Sequence, residues 1–127
     1  MTSSPSGHRT ILLAEDDLDI RDFVAMALEG EGYDVAAAAN GQAALEAARA
    51  QPIDLILLDL AMPLLDGPEF CRAYRAEGGR AAVVLLTAAS PDKVAVGMEA
   101  CGAVAYLLKP FTIDALLDTV TQHLVPP

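Results

Sequence analysis

Leu55-Ile56-Leu57-Leu58 is an unbroken apolar run that ends abruptly in a carboxylate, Asp59. Apolar residues without alternation suit a central strand covered on both faces, as in parallel sheets flanked by helices. Leu60 to Gly67 then read as a loop, with Pro63 and Gly67 as punctuation. Asp59 therefore falls at the carboxyl end of a buried strand, the edge where open parallel sheets bind ligands. A single aspartate at such a position is ordinarily a solvated strand end. Its significance depends on what falls at the ends of the other strands.

Thr10 to Ala14 reads as a first buried strand, followed at once by Glu15-Asp16-Asp17. Ile20, Phe23, Val24, Ala27 and Leu28 recur at steps of three and four, marking one face of a helix that Gly30 and Gly32 end. Tyr33 to Ala37 is a weaker strand. Asn40 is placed to cap an alanine-rich helix to Ala50, which Gln51-Pro52 terminates. The central strand, Ile53 to Leu58, comes next. Pro68 opens a third helix to about Glu77, broken by Gly78-Gly79. Ala81 to Leu86 is a fourth buried strand ending in Thr87, and Ser90-Pro91 start a helix to Ala100. Val104 to Leu108 form a short fifth strand ahead of Lys109-Pro110-Phe111. Ile113, Leu116, Leu117, Val120 and Leu124 make a last helical face. Five strands alternating with five helices at short spacing predict an α/β fold, a parallel sheet wound on both faces by helices.

With 127 residues, one domain is expected, spanning 9–125. Met1 to His8 reads as a flexible tail without the apolar core of a signal peptide, and Pro126-Pro127 as a terminus or the start of a linker. No stretch approaches the roughly 20 apolar residues of a membrane span. A net charge of −10 opposes unaided binding to nucleic acid or anionic membrane, and permits cationic partners and divalent metals. Cys71 and Cys101 form no C-x-x-C pair and read as small apolar helix residues in a reducing, cytoplasmic setting. His8 and His123 lie far from any acid or nucleophile motif and are expected at the surface.

In a parallel sheet the carboxyl ends of the strands share one edge. Glu15 and Asp16, Asp59, Thr87 and Lys109 would then converge on one crevice. Each alone has a plain explanation: a helix N-terminal acid, a backbone-bonded hydroxyl, a solvated lysine. Together they describe a metal-assisted phosphoryl site. Clustered carboxylates raise one another's pKa unless a cation joins them. A hard divalent ion such as Mg²⁺ relieves that conflict with one or two carboxylates plus water and phosphate oxygens. Asp59 is the candidate nucleophile, and Thr87 and Lys109 would hold charge on the equatorial oxygens. Asp17, Asp19 and Asp22 keep the plain reading.

The ordered motifs Ile11-Leu12-Leu13-Ala14-Glu15-Asp16-Asp17, Leu57-Leu58-Asp59, Met62-Pro63 with Asp66-Gly67, Leu86-Thr87-Ala88 and Tyr106-Leu107-Leu108-Lys109-Pro110-Phe111 carry a resemblance. From about Arg9 to Leu124 the chain resembles the receiver domains of bacterial two-component response regulators. The resemblance implies a flavodoxin-like sheet with strand order 2-1-3-4-5. It also implies that Asp59 accepts phosphate from a histidine kinase or histidine phosphotransfer protein, and that a downstream protein or output domain reads the change. Asp16, Asp59 and the backbone carbonyl of Ala61 would ligate Mg²⁺, with Glu15 holding it through water. Thr87 would bind a phosphoryl oxygen, Lys109 would pair with the phosphoryl group, and Tyr106 would be the switch aromatic. The Lys109-Pro110 bond is expected to be cis. No direct nucleic-acid or membrane partner is expected.

Two departures from the family pattern matter. Thr112 to Leu124 contains no Lys or Arg, so the charged dimer of the DNA-binding subgroup is not expected. Ala61 and Ala89 stand where many receivers carry polar groups that affect hydrolysis, which predicts a long-lived phosphoryl group. Three other readings compete. A haloacid-dehalogenase-like phosphatase needs a second acid two residues after the nucleophile, where this chain has Ala61. A flavodoxin-like cofactor carrier needs a phosphate loop where it has Glu15-Asp16-Asp17. A degenerate receiver should lack part of the core set, and all five side chains are present.

Overall fold

A computed structural model describes residues 9–124, so the expected tail at Met1 to His8 and the reading of Pro126-Pro127 lie outside the described residues. The elements run β1 (Thr10–Ala14), α1 (Leu18–Gly30), β2 (Asp34–Ala38), α2 (Gly41–Ala50), β3 (Leu55–Asp59), α3 (Gly67–Ala76), β4 (Ala82–Thr87), α4 (Pro91–Cys101), β5 (Ala105–Leu108) and α5 (Ile113–His123). The five strands form one sheet in the order β2-β1-β3-β4-β5, and every neighbouring pair is parallel. This is the doubly wound, flavodoxin-like α/β fold that was expected.

The missing alternation in β3 has a direct cause. Ile56 and Leu58 pack on one face with Leu12, Val83 and Leu85, under α2, α3 and α4. Leu55 and Leu57 pack on the other with Ile11, Leu13, Val84 and Leu86, under α1 and α5. All four apolar residues of β3 are 0% exposed, so a polar group on either face would be buried without water. Cys71 and Cys101 are free and buried in the first of these clusters, as apolar helix residues.

The helix starts are chemically marked. Asp17 caps α1 by accepting from the Ile20 amide at 3.1 Å, and Asn40 caps α2 by accepting from Ala43 at 2.8 Å. Asp66 and Glu69 exchange bonds at the start of α3 as a capping box, ahead of Pro68. Four strand starts differ from expectation. β3 begins at Leu55 because Asp54 is used sideways: its Oδ2 accepts from the Thr10 amide at 2.7 Å while its own amide donates to Thr10 O at 2.8 Å. β2, β4 and β5 each start one residue late, at Asp34, Ala82 and Ala105. His123 is half-buried rather than at the surface, with Nδ1 2.9 Å from Thr119 O.

The loop from Leu60 to Asp66 is held close to the helices around it. A Cβ at Gly41 in α2 would collide with the Leu65 carbonyl. One at Gly97 in α4 would come within 2.7 Å of Leu60 Cδ2. Leu64 takes a left-handed φ of 70° between them.

Candidate functional site

Strand register brings the candidate side chains to one edge. Ala14 pairs with Leu58, Asp59 with Leu86, and Thr87 with Leu108. The residues that follow β1 and β5, and those that end β3 and β4, therefore share one rim. Glu15, Asp59 and Thr87 are buried there, at 0%, 6% and 3% exposure, while Asp16 is exposed. One carboxylate oxygen from each of Glu15, Asp16 and Asp59 lies within 4.8 Å of the others. Lys109 reaches in from β5, with Nζ 2.7 Å from Glu15 Oε1 and 3.4 Å from Asp59 Oδ2. The Lys109-Pro110 peptide is cis, as expected.

The electrostatics follow from this crowding. The Asp59 carboxyl is pushed up to about 7, first by burial, then by its hydrogen bond with Asp16 and the charge of Glu15; Lys109 and the Ala61 amide oppose the rise. Burial works against the Lys109 ammonium, but contact with Glu15 and the charges of Asp59 and Glu15 outweigh it, and its pKa is raised. Glu15 Oε1 is fully buried and accepts no well-directed hydrogen bond, so its meeting with Lys109 is a charge contact. One ammonium facing three carboxylates leaves negative charge uncompensated. An all-oxygen donor set of this kind fits a hard divalent cation.

Asp59 Oδ1 accepts from the Ala61 amide at 3.2 Å, which turns the chain out of β3 and leaves Ala61 exposed above the carboxylate. Thr87 Oγ1 accepts from the Ala89 amide at 2.9 Å. Between them opens a cleft of about 560 Å³, lined by Asp59, Ala61, Thr87, Ala89, Lys93 and Lys109 among others. Every expected core side chain borders this rim. Tyr106 does not: it is 47% exposed on β5 and lines a separate apolar pocket of about 210 Å³ with Val94, Met98 and Leu108.

Sequence reasoning missed two cations here. Lys93, in the first turn of α4, lines the cleft, and nothing in Pro91-Asp92-Lys93 distinguishes it from a surface lysine. Arg21 donates from its guanidinium to the Glu15 carbonyl at 2.8 Å. Its position six residues after Glu15, on the first turns of α1, was the available signal.

A family model described as the response regulator receiver domain matches residues 11–121. That span contains every strand end of the rim. The chain belongs to the response regulator receiver family. This receiver is 37% identical over 114 residues to the DNA-binding response regulator MtrA of Mycolicibacterium paratuberculosis, covering 90% of the chain and 50% of the relative. It thus spans about half the length of the curated relatives it matches. It superposes on the chemotaxis protein CheY4 of Vibrio cholerae with a TM-score of 0.87 at 32% identity, covering 93% of this chain and 100% of that one. It also superposes on the receiver domain of a sensor histidine kinase from Pseudomonas aeruginosa, solved with magnesium in the active-site cleft. There the TM-score is 0.84 at 30% identity, covering 92% and 98%. A relative named as DNA-binding conflicts with the expectation of no direct nucleic-acid partner, which is not carried forward. Among the described residues, no helix is long and apolar enough to cross a membrane.

Proposed function

We propose that this receiver, residues 9–125, works in the cytoplasm and accepts a phosphoryl group on Asp59 from a phosphohistidine of a histidine kinase or phosphotransfer protein. The observation that carries the reading is the joint placement of Asp59 beneath an open cleft, with Glu15 and Asp16 within 4.8 Å and Lys109 Nζ 3.4 Å from its Oδ2. An Asp59 carboxylate oxygen attacks phosphorus, the N–P bond breaks, and the imidazole leaves with the electron pair and takes up a proton. Asp16, Asp59 and the Ala61 carbonyl, with Glu15 behind, would hold Mg²⁺, which would neutralise charge on the phosphoryl oxygens.

Lys109 holds one equatorial oxygen. The Thr87 hydroxyl, now accepting from Ala89, holds another as the β4–α4 loop closes on it. Movement of Thr87 would open space toward which Tyr106 swings from its exposed position, re-weighting two conformers of the α4–β5–α5 face. A downstream protein or an output domain then reads that face.

The same chemistry gives the domain its own slow dephosphorylation. A phosphatase with an acid/base partner two residues after the nucleophile has no support, because Ala61 offers no proton. The test is phosphotransfer from a phosphorylated histidine donor in Mg²⁺ buffer. Label should move to the wild-type chain and not to Asp59→Asn. Equal labelling of both would refute the assignment.

A further inference from the structure

We propose that Arg21 is a positioning residue for the β1–α1 acid loop, holding Asp16 in the place where it can share a cation with Asp59. The inference rests on the reading of the site given above. Arg21 Nη1 donates to the Glu15 carbonyl at 2.8 Å, while the Arg21 amide makes the first helical bond of α1, to Asp17 O at 2.9 Å. This half-buried side chain on α1 therefore ties the helix to the peptide immediately before Asp16.

Other polar atoms beside Asp16 are engaged as well. The Glu15 amide donates to Ala38 O at 3.0 Å, the Asp17 amide donates to Glu15 Oε2 at 3.1 Å, and Asp17 Oδ1 accepts from Ile20. The bond from the guanidinium fixes the peptide plane between Glu15 and Asp16, and that plane sets the direction of the Asp16 side chain. Asp16 is the one exposed acid of the three, so repulsion from Glu15 and Asp59 would turn it into solvent unless its backbone is held. Groups that orient a ligand from behind govern affinity nearly as strongly as the ligand itself.

Charge and position predict opposite signs. As a charge alone, a guanidinium beside the cluster opposes a divalent cation, and its removal would tighten binding. As a clamp, its removal loosens Asp16 and weakens binding.

The experiment is titration of the full chain with MgCl₂, followed by the amide resonances of Asp17 and Ala61, for wild type, Arg21→Ala, Arg21→Met and Arg21→Lys. The Met variant keeps the apolar stem without a donor, and the Lys variant restores a donor. The expected result is Mg²⁺ affinity weaker by about tenfold or more in Ala and Met, with Lys recovering most of the loss. Urea midpoints in EDTA should differ little among the folded variants. Should Arg21→Ala fail to fold, the Met and Lys variants carry the comparison. Unchanged or tighter binding in Arg21→Met overturns the role of Arg21 alone. A wild-type chain that binds no Mg²⁺ overturns the reading of the site as well.

Discussion

Replacing Asp59 by Asn should stabilise the metal-free protein, although it destroys the residue proposed to accept phosphate. Burial first, then the Asp16 hydrogen bond and the Glu15 charge, lift the Asp59 carboxyl from its ordinary 3.8 to about 7 against the pull of Lys109. A raised carboxyl means that the fold disfavours the ionised form. Between about pH 4 and pH 7 the native state holds a proton that the unfolded chain has lost. Stability therefore falls across that window as pH rises, and above it the full cost is present. A displacement from 3.8 to about 7 corresponds to about 4 kcal/mol. That is a ceiling, because part of the strain relaxes as water enters the cleft. Asn removes the charge while its Oδ1 can still accept from Ala61, and Lys109 keeps Glu15.

The assay is urea unfolding in EDTA, followed by far-ultraviolet circular dichroism from pH 5 to pH 8. The stabilisation by Asp59→Asn should be about 1 kcal/mol at pH 5 and rise to about 2–4 kcal/mol at pH 8. Saturating Mg²⁺ should stabilise the wild type more than the variant and narrow the gap. A variant less stable than wild type at pH 8 in EDTA, or a gap that Mg²⁺ leaves untouched, would refute the argument from charge crowding.

Removing the one ammonium should act in the opposite direction. Lys109→Met leaves Glu15 and Asp59 without their cation and should cost about 3 kcal/mol in EDTA at pH 8. Part of that loss should return at pH 6, where Asp59 is protonated; a pH-independent loss in urea titrations would contradict this. The two tight glycine contacts should differ. Gly97→Ala meets the movable end of Leu60 and should cost about 1–2 kcal/mol, whereas Gly41→Ala meets the Leu65 backbone carbonyl and should cost about 3 kcal/mol or more. Equal thermal shifts for the two would count against the packing described. At the cleft mouth, Ala61→Asn supplies a side chain that can orient water, and the decay of phosphorylated protein in Mg²⁺ buffer should change from the slow wild-type rate. Wild-type decay within seconds would sink the expectation of a long lifetime.

The fold was legible because the three central strands, β1, β3 and β4, are covered on both faces. Leu55 to Leu58 cannot alternate when Ile56 and Leu58 face one helical layer and Leu55 and Leu57 the other. The rim was legible because parallel strands bring their carboxyl ends together, so Glu15, Asp16, Asp59, Thr87 and Lys109 could be placed from chain order. Strand order came from family resemblance rather than from hydropathy, which carries no information about which buried strand lies next to which. Boundaries failed where a side chain replaced a ladder bond, as Asp54 does at Thr10. Lys93 was not legible as a site residue, because its part is set by where a helix points a long side chain, and for Arg21 the spacing from Glu15 was the one signal. The packing of Gly41 on Leu65 was hidden for the same reason: it depends on how α2 meets a loop distant in sequence.

The measurement that bears most directly on the site is intact mass after incubation with acetyl phosphate, with Mg²⁺ or with EDTA, followed by mapping of the modified peptide. The account predicts one added phosphoryl group, on Asp59, only when Mg²⁺ is present, and none on Asp59→Asn. A wild-type chain that stays unmodified in Mg²⁺, or a phosphoryl group mapped to any other residue, would contradict it.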